Sequence, residues 1–195
     1  MIQAAIELVA EKGFAGLVLA EVGARAGYSA TLPVHYYKTK ETLIMMTAQR
    51  ILDDYNQLLW ERLKGVAGLK AIRIFVRTYL QFAIENPKTR RAYFMITSEA
   101  AVDNSLRESV AGLAQTAIKA LASRIRDAQD AGEVEPMVDP DVFGALIFAW
   151  LRGAVSLWAV DPSIDLERMA VGIEGTIVRA LRSSGVTKDG SSEGL

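Results

Sequence analysis

Cysteine is absent from the 195 residues and histidine occurs once. Disulfide frameworks, thiol catalysis and zinc–cysteine sites are thereby excluded, and with His35 the one imidazole neither histidine-rich metal sites nor histidine triads are expected. Nothing points to an oxidising compartment, so the cytoplasm is the expected location, and no cofactor is expected. Net positive charge is lacking too. At a formal charge of −1 the chain has no global attraction for nucleic acid, and any such contact must use a local patch with ordered geometry. The opening MIQAAIELVA has no basic segment ahead of its apolar residues and carries Glu7 among them, which argues against a secretory signal. What is plentiful is apolar side chains, 51% of residues, enough to bury a real core in one large or two small domains.

No segment requires the alternation of a strand, and helical periodicity accounts for nearly the whole chain. Ile2, Ala5, Ile6 and Val9 recur at i, i+3, i+4 and i+7 before Gly13, giving a helix over residues 1–12. Leu19, Val22, Gly23 and Ala26 repeat the spacing before Gly27. Ser29 is placed to cap a third helix starting near Ala30, because Pro33 is tolerated only in a first turn. Thr39 caps a long fourth helix with Ile44, Ala48, Ile51, Tyr55, Leu58 and Leu59 on one face, ending near Gly65. Further helices are expected over 67–85, over 87–101 with Asn86 as cap, and over 104–131. Asp139 and Pro140 launch another to about 160, and the last spans roughly 164–183. The fold class is therefore all-α with about nine helices, and the polar tail 184–195 is expected to be disordered.

Two short helices joined by a glycine turn, the second rich in groups that reach phosphate or base edges, follow the logic of a helix-turn-helix. The run AAIELVAEKGFAGLVLAEVGARAGYSATLPVHYYKTKETL resembles the amino-terminal DNA-binding module of the TetR family of one-component transcriptional regulators. The shared features are the AA pair, the turn EKGF, the second helix LAEVGARAGYS, and HYYKTKETL leading into a long helix. The resemblance covers residues 4–45. It implies a helix-turn-helix domain over 1–45, a larger helical ligand-binding and dimerisation domain over 46–183, and double-stranded operator DNA, a small-molecule effector and a second copy as partners. A repressor is the expected role, with ligand and DNA favouring different conformations.

The expected DNA-binding set is Ser29, Ala30, Thr31, Val34, His35, Tyr36 and Lys40. Ser29, Tyr36 and Lys40 suit phosphates, and Thr31 and His35 suit base edges. Adjacent helical residues point about 100° apart, so Tyr36 and Tyr37 cannot share a role; by resemblance Tyr37 packs inside. The chain departs from the family pattern at Leu17 and Val18, where Thr or Ser is usual, at Gly23 in place of alanine, and at Thr31 and Leu32 in place of glycine and threonine. It also begins without the basic arm many members carry. Lys12, Arg25, Lys38 and Lys40 only balance Glu7, Glu11, Glu21 and Glu41, so weak non-specific binding is expected.

For the effector, the aromatic stock Tyr79, Phe82, Tyr93, Phe94, Phe143, Trp150 and Trp158 offers an apolar lining, together with Met95 and Phe148, and Arg91 and Arg152 are candidate polar contacts. The segment 141–160 is long and apolar enough to span a bilayer, but Arg152 and the Asp139–Pro140 start argue for a soluble helix, and no membrane partner is expected. Its small residues Ala145, Ala149, Gly153 and Ser156 permit close approach of a second helix. With the stripe Leu166, Met169, Ala170, Ile173, Ile177 and Leu181 they form the expected dimer interface. Enzyme readings fare badly: Asp53 with Asp54 reads as a solvated face and Asp139 with Asp141 as a helix cap, and no catalytic or metal-ligating residue is assigned. Two alternatives stay open, a helical small-molecule-binding protein and a helical interaction module, each without operator binding.

Overall fold

The computed structural model describes residues 1–182; the tail expected to be disordered lies outside them. The helices are α1 (Ile2–Lys12), α2 (Leu19–Arg25), α3 (Leu32–Tyr37), α4 (Lys40–Leu63), α5 (Gly68–Glu85), α6 (Pro87–Glu99), α7 (Asn104–Asp130), α8 (Pro140–Val160) and α9 (Leu166–Arg182). Among the described residues there is no strand.

Local chemistry sets most of the boundaries. Thr39 accepts from the Thr42 amide at 3.1 Å and starts α4. Asp139 accepts from the Asp141 and Val142 amides and starts α8. Gly65 and Gly132 take positive φ just beyond α4 and α7. Two expected caps differ. The third helix begins at Leu32, with Thr31 rather than Ser29 at its N-cap and no side-chain cap bond; the close approach of α2 holds Ser29 and Ala30 in the preceding turn. Asn86 precedes α6 as expected, yet its amide donates to the Phe82 carbonyl at 3.2 Å, closing α5 instead of opening α6.

Helix α5 is the centre, packed against α4, α6, α7, α8 and α9. Its buried set, from Leu69 through Ile72, Phe75, Val76 and Tyr79 to Ala83, leaves only a narrow polar edge, as expected for a helix enclosed on most sides. Helices α7 and α8 pack against each other closely: a Cβ on Gly144 would lie 2.9 Å from the Ile118 carbonyl oxygen. At the opposite end α1 packs on both α6 and α4. The helix-turn-helix is thus seated directly on the larger domain, and the division at residue 45 falls inside α4.

The α9 stripe proposed from sequence as a partner surface is the inner face of that helix. Leu166, Ile177 and Leu181 are buried within the chain, and Met169, Ala170 and Ile173 are half-buried against its core. Helix α9 is also tied down by a buried carboxylate. Arg73 Nε donates to Glu174 Oε1 at 2.5 Å, and Arg77 binds both carboxylate oxygens. Burial pushes the Glu174 carboxyl up, but the hydrogen bonds and charges of Arg77 and Arg73 outweigh it and hold the group below its ordinary value. Because the folded-state value is depressed, the stabilisation is whole above the unfolded glutamate pKa of about 4.3 and is lost as pH falls through the folded value. Glu174→Gln should therefore lower the melting temperature at pH 7 and lose less on acidification than the parent. Melts between pH 7 and 3 check this; parallel pH profiles would show that the pair contributes nothing.

Candidate nucleic-acid interface and ligand cavity

The α2–α3 turn is built on close contact. A Cβ at Gly23 would meet the Ser29 carbonyl oxygen at 2.5 Å and the Pro33 ring at 3.0 Å, and the Tyr28 amide donates to the Gly23 carbonyl at 2.9 Å. This packing presents Ser29, Ala30, Thr31, Val34, His35 and Tyr36 to solvent, with Ser29 Oγ and Thr31 Oγ1 3.2 Å apart. Tyr36 is 63% exposed while Tyr37 is 4% exposed, their rings meeting edge-on at 5.0 Å. The two tyrosines therefore divide as the helical angle requires. Lys38 ends α3 at φ 65°, and the Thr39 amide donates to the Tyr37 carbonyl at 2.7 Å, a tight γ-turn into α4.

Lys40 has contacts within the chain that its sequence pattern does not announce. Its Nζ lies 3.3 Å from the Ala15 carbonyl and 4.2 Å from the centre of the Phe14 ring, so the ammonium braces the α1–α2 loop. Lys12 pairs with Glu21 at 2.5 Å and Arg25 with Glu11 at 2.7 Å. The positive charge on this module is accordingly spread thin, and the face offers hydroxyls, an imidazole and Lys38. Val18 occupies the N-cap of α2 without a cap bond and is 55% exposed.

A cavity of about 220 Å³ lies between α4, α5, α6, α7 and α8. Tyr55, Phe75, Tyr79, Tyr93 and Phe148 supply rings, and Leu52, Leu59 and Leu113 supply aliphatic wall. Gln49, Asn56, Thr116 and Ala120 also line it and are exposed, which marks an entrance between α4 and α7. Burial pushes the Tyr93 phenol up to about 12 and the Tyr55 phenol further in the same direction. Of the residues expected to bind ligand, the cavity brings together Tyr79, Tyr93 and Phe148. Phe94 lines a narrow adjoining lobe with Thr97 and Arg152. Phe82 stands behind the wall, edge-on to Tyr55 at 5.7 Å. Phe143 and Trp158 are half-buried against the core outside the lining, and Trp150 is 40% exposed on the outer face of α8.

Arg90 is the lining residue that sequence reading passed over in favour of its neighbour. Arg91 is exposed, whereas Arg90 is 3% exposed. Its register was a usable signal: Arg90 falls in line with the buried Tyr93, Thr97 and Ala100 of the α6 stripe and the turn after it, and an arginine in an apolar stripe calls for a partner.

The outer face of α8 carries Val142, Leu146, Trp150, Leu157 and Val160, each at least 40% exposed, beside exposed Ala145, Ala149 and Gly153; Ser156 is half-buried. A Cβ on Gly153 meets nothing within 4 Å. This helix is long and apolar enough to cross a membrane by length and composition, but its other face, with Ile147, Phe148, Leu151, Ala154 and Val155, is buried in the chain. Arg152 reaches Thr97 Oγ1 at 2.9 Å.

Comparison with known proteins adds independent findings. Residues 1–45 match the family described as bacterial regulatory proteins, tetR family, and residues 69–183 match the BetI-type transcriptional repressor, C-terminal family. The HTH-type transcriptional regulator RutR of Escherichia coli K12 is 28% identical over 95 residues, covering 49% of this chain and 45% of that protein; the match thus spans less than half the length of that relative. Among solved structures, FadR of Bacillus subtilis in complex with stearoyl-CoA superposes with a TM-score of 0.81 at 16% identity, covering 91% of this chain and 95% of that one. SmeT of Stenotrophomonas maltophilia, in complex with triclosan, gives 0.78 at 22% identity, covering 100% and 95%.

Proposed function

The chain belongs to the TetR family of bacterial transcriptional regulators, and from that premise we propose that it is a cytoplasmic homodimeric repressor, not an enzyme, which a small apolar or aromatic effector releases from its operator. Residues 1–45 are assigned to DNA and 46–183 to effector and partner. One observation carries the reading: the helices that wall the cavity also hold the helix-turn-helix. Helix α4 starts at Lys40 beside α3 and reaches the cavity at Gln49, about 14 Å along its axis at 1.5 Å per residue. Helix α6 gives Arg90 and Tyr93 to the cavity and packs on α1, with Met95 3.9 Å from a Cβ placed on Gly13. A ligand that fits better when these helices shift must disfavour the DNA-competent spacing of the two recognition helices, and DNA must weaken the ligand by the same factor. The stearoyl-CoA and triclosan complexes of the two structural relatives support a small-molecule site in this fold.

Sequencing the genomic fragments that the purified protein retains supplies the operator. On it, Thr31→Ala and His35→Ala should each cost about 1–3 kcal/mol and relax preference at particular base pairs. Tyr36→Phe should weaken operator and scrambled duplexes alike. Lys40→Ala should change the salt slope by less than the roughly one unit that a phosphate-bound lysine contributes, because its ammonium is turned to Ala15. Retention of no preferred sequence, or wild-type binding by all four variants, would defeat the assignment.

A further inference from the structure

The cavity is not purely apolar. Arg90 is buried, its guanidinium carbon is 4.2 Å from the centre of the Tyr79 ring and 5.4 Å from that of Tyr93, and its buried Nε has no hydrogen-bond partner among the described residues. No carboxylate lies within 4 Å of it among the described residues, and none lines the cavity or its adjoining lobe. The lobe instead adds a second guanidinium, Arg152, whose one hydrogen bond among the described residues is to Thr97. Nor can the Tyr55 and Tyr93 phenols serve as counter-ions, since burial holds both neutral. An arginine does not deprotonate in a protein. Ring faces offset part of its burial, but a desolvated charge with donors to spare is stable only when paired.

We propose that the effector is an organic anion, a carboxylate on an aromatic or short aliphatic body, with the carboxylate forked on Arg90 and the body among Tyr55, Phe75, Tyr79 and Phe148. The inference rests on the reading of this cavity as the effector site and narrows its chemistry. A planar fork of donors matches a carboxylate bidentately. The size agrees: an apolar cavity of about 150 Å³ accepts benzene, so about 220 Å³ suits one or two rings with an acid group. An aromatic cage without Arg90 would suit a quaternary ammonium ion; the guanidinium inverts that preference.

The test uses the full chain and shape-matched probes: 1-naphthoate against 1-naphthamide, octanoate against octanamide, and benzyltrimethylammonium as the cation. Melting shifts and calorimetric titration should show at least one acid binding about tenfold or more tighter than its amide, and the cation not binding. Arg90→Gln should erase the difference between acid and amide, and Arg90→Lys should keep part of it. Arg90→Met, without ligand, should melt at or above the parent temperature, because an unmatched buried charge is removed. If no acid exceeds its amide, if the cation binds better, or if the acid preference survives Arg90→Gln, the proposal is overturned; a melting temperature well below the parent's for Arg90→Met makes Arg90 a structural anchor and overturns it equally. Operator titration with each probe separates the two readings. Acids held by Arg90 that leave DNA binding unchanged would sink the effector-release reading alone, and neutral compounds that release DNA as well as acids would sink this inference alone.

Discussion

Gly153→Trp should leave each chain folded, turn the proposed dimer into a monomer at micromolar concentration, and lower operator affinity by about 10²- to 10⁴-fold. A Cβ at this position meets nothing within 4 Å in its own chain, so a larger side chain can leave the helix without an internal clash at its base. It sits amid Leu146, Ala149, Trp150 and Leu157, exposed on the outer face of α8. A contiguous apolar stripe of that kind is unusual on a monomer, and a two-fold partner helix would bury it with the same residues reciprocated. Losing the partner turns two linked half-site contacts into independent ones, which sets the size of the expected fall. Sedimentation or light scattering, circular dichroism and operator titration report the three effects. A monomeric parent protein, or a Gly153→Trp protein that stays dimeric and binds operator fully, would remove this face from the interface.

Gly23→Ala should destabilise the helix-turn-helix although it places a better helix former in α2. Glycine in a helix interior costs about 1 kcal/mol relative to alanine, so propensity alone predicts a gain. The added Cβ, however, would lie 2.5 Å from the Ser29 carbonyl oxygen and 3.0 Å from the Pro33 ring, neither of which is the end of a flexible side chain. Overpacking of this kind costs about 1–3 kcal/mol. The clash should win on balance, and Gly23→Val should lose more, on the order of 3 kcal/mol. Because the displaced groups are the turn that holds Ser29 and Thr31, operator binding should fall further than the melting temperature indicates. A higher melting temperature with unchanged operator binding for Gly23→Ala would show that the turn yields freely.

The residues that sequence reading placed well share a local cause. The helices of α4, α5, α7 and α8 follow from a 3.6-residue apolar period with capping residues at Thr39 and Asp139, and both signals act within a few turns of chain. The split between Tyr36 and Tyr37 follows from the helical angle. For the α9 stripe, periodicity tells that a face is buried, never against what. Leu166, Ile177 and Leu181 are covered by the same chain, and the face of α9 left outside is the less apolar one, with Val171, Gly172 and Thr176.

The amino-acid sequence by itself determined the all-α class, most helix boundaries and the family, because capping, turn chemistry and the run of residues 4–45 are local and ordered. Tertiary structure alone decided which aromatic residues surround empty space and which fill it. Tyr55 and Phe148 line the cavity while Phe82, Phe143 and Trp158 do not, a distinction set by five helices meeting at once. It also decided that Lys40 braces Ala15, twenty-five residues away, and that Arg90, not Arg91, is buried beside two tyrosine rings. Each depends on contacts between segments distant in the chain, which a one-dimensional pattern does not encode.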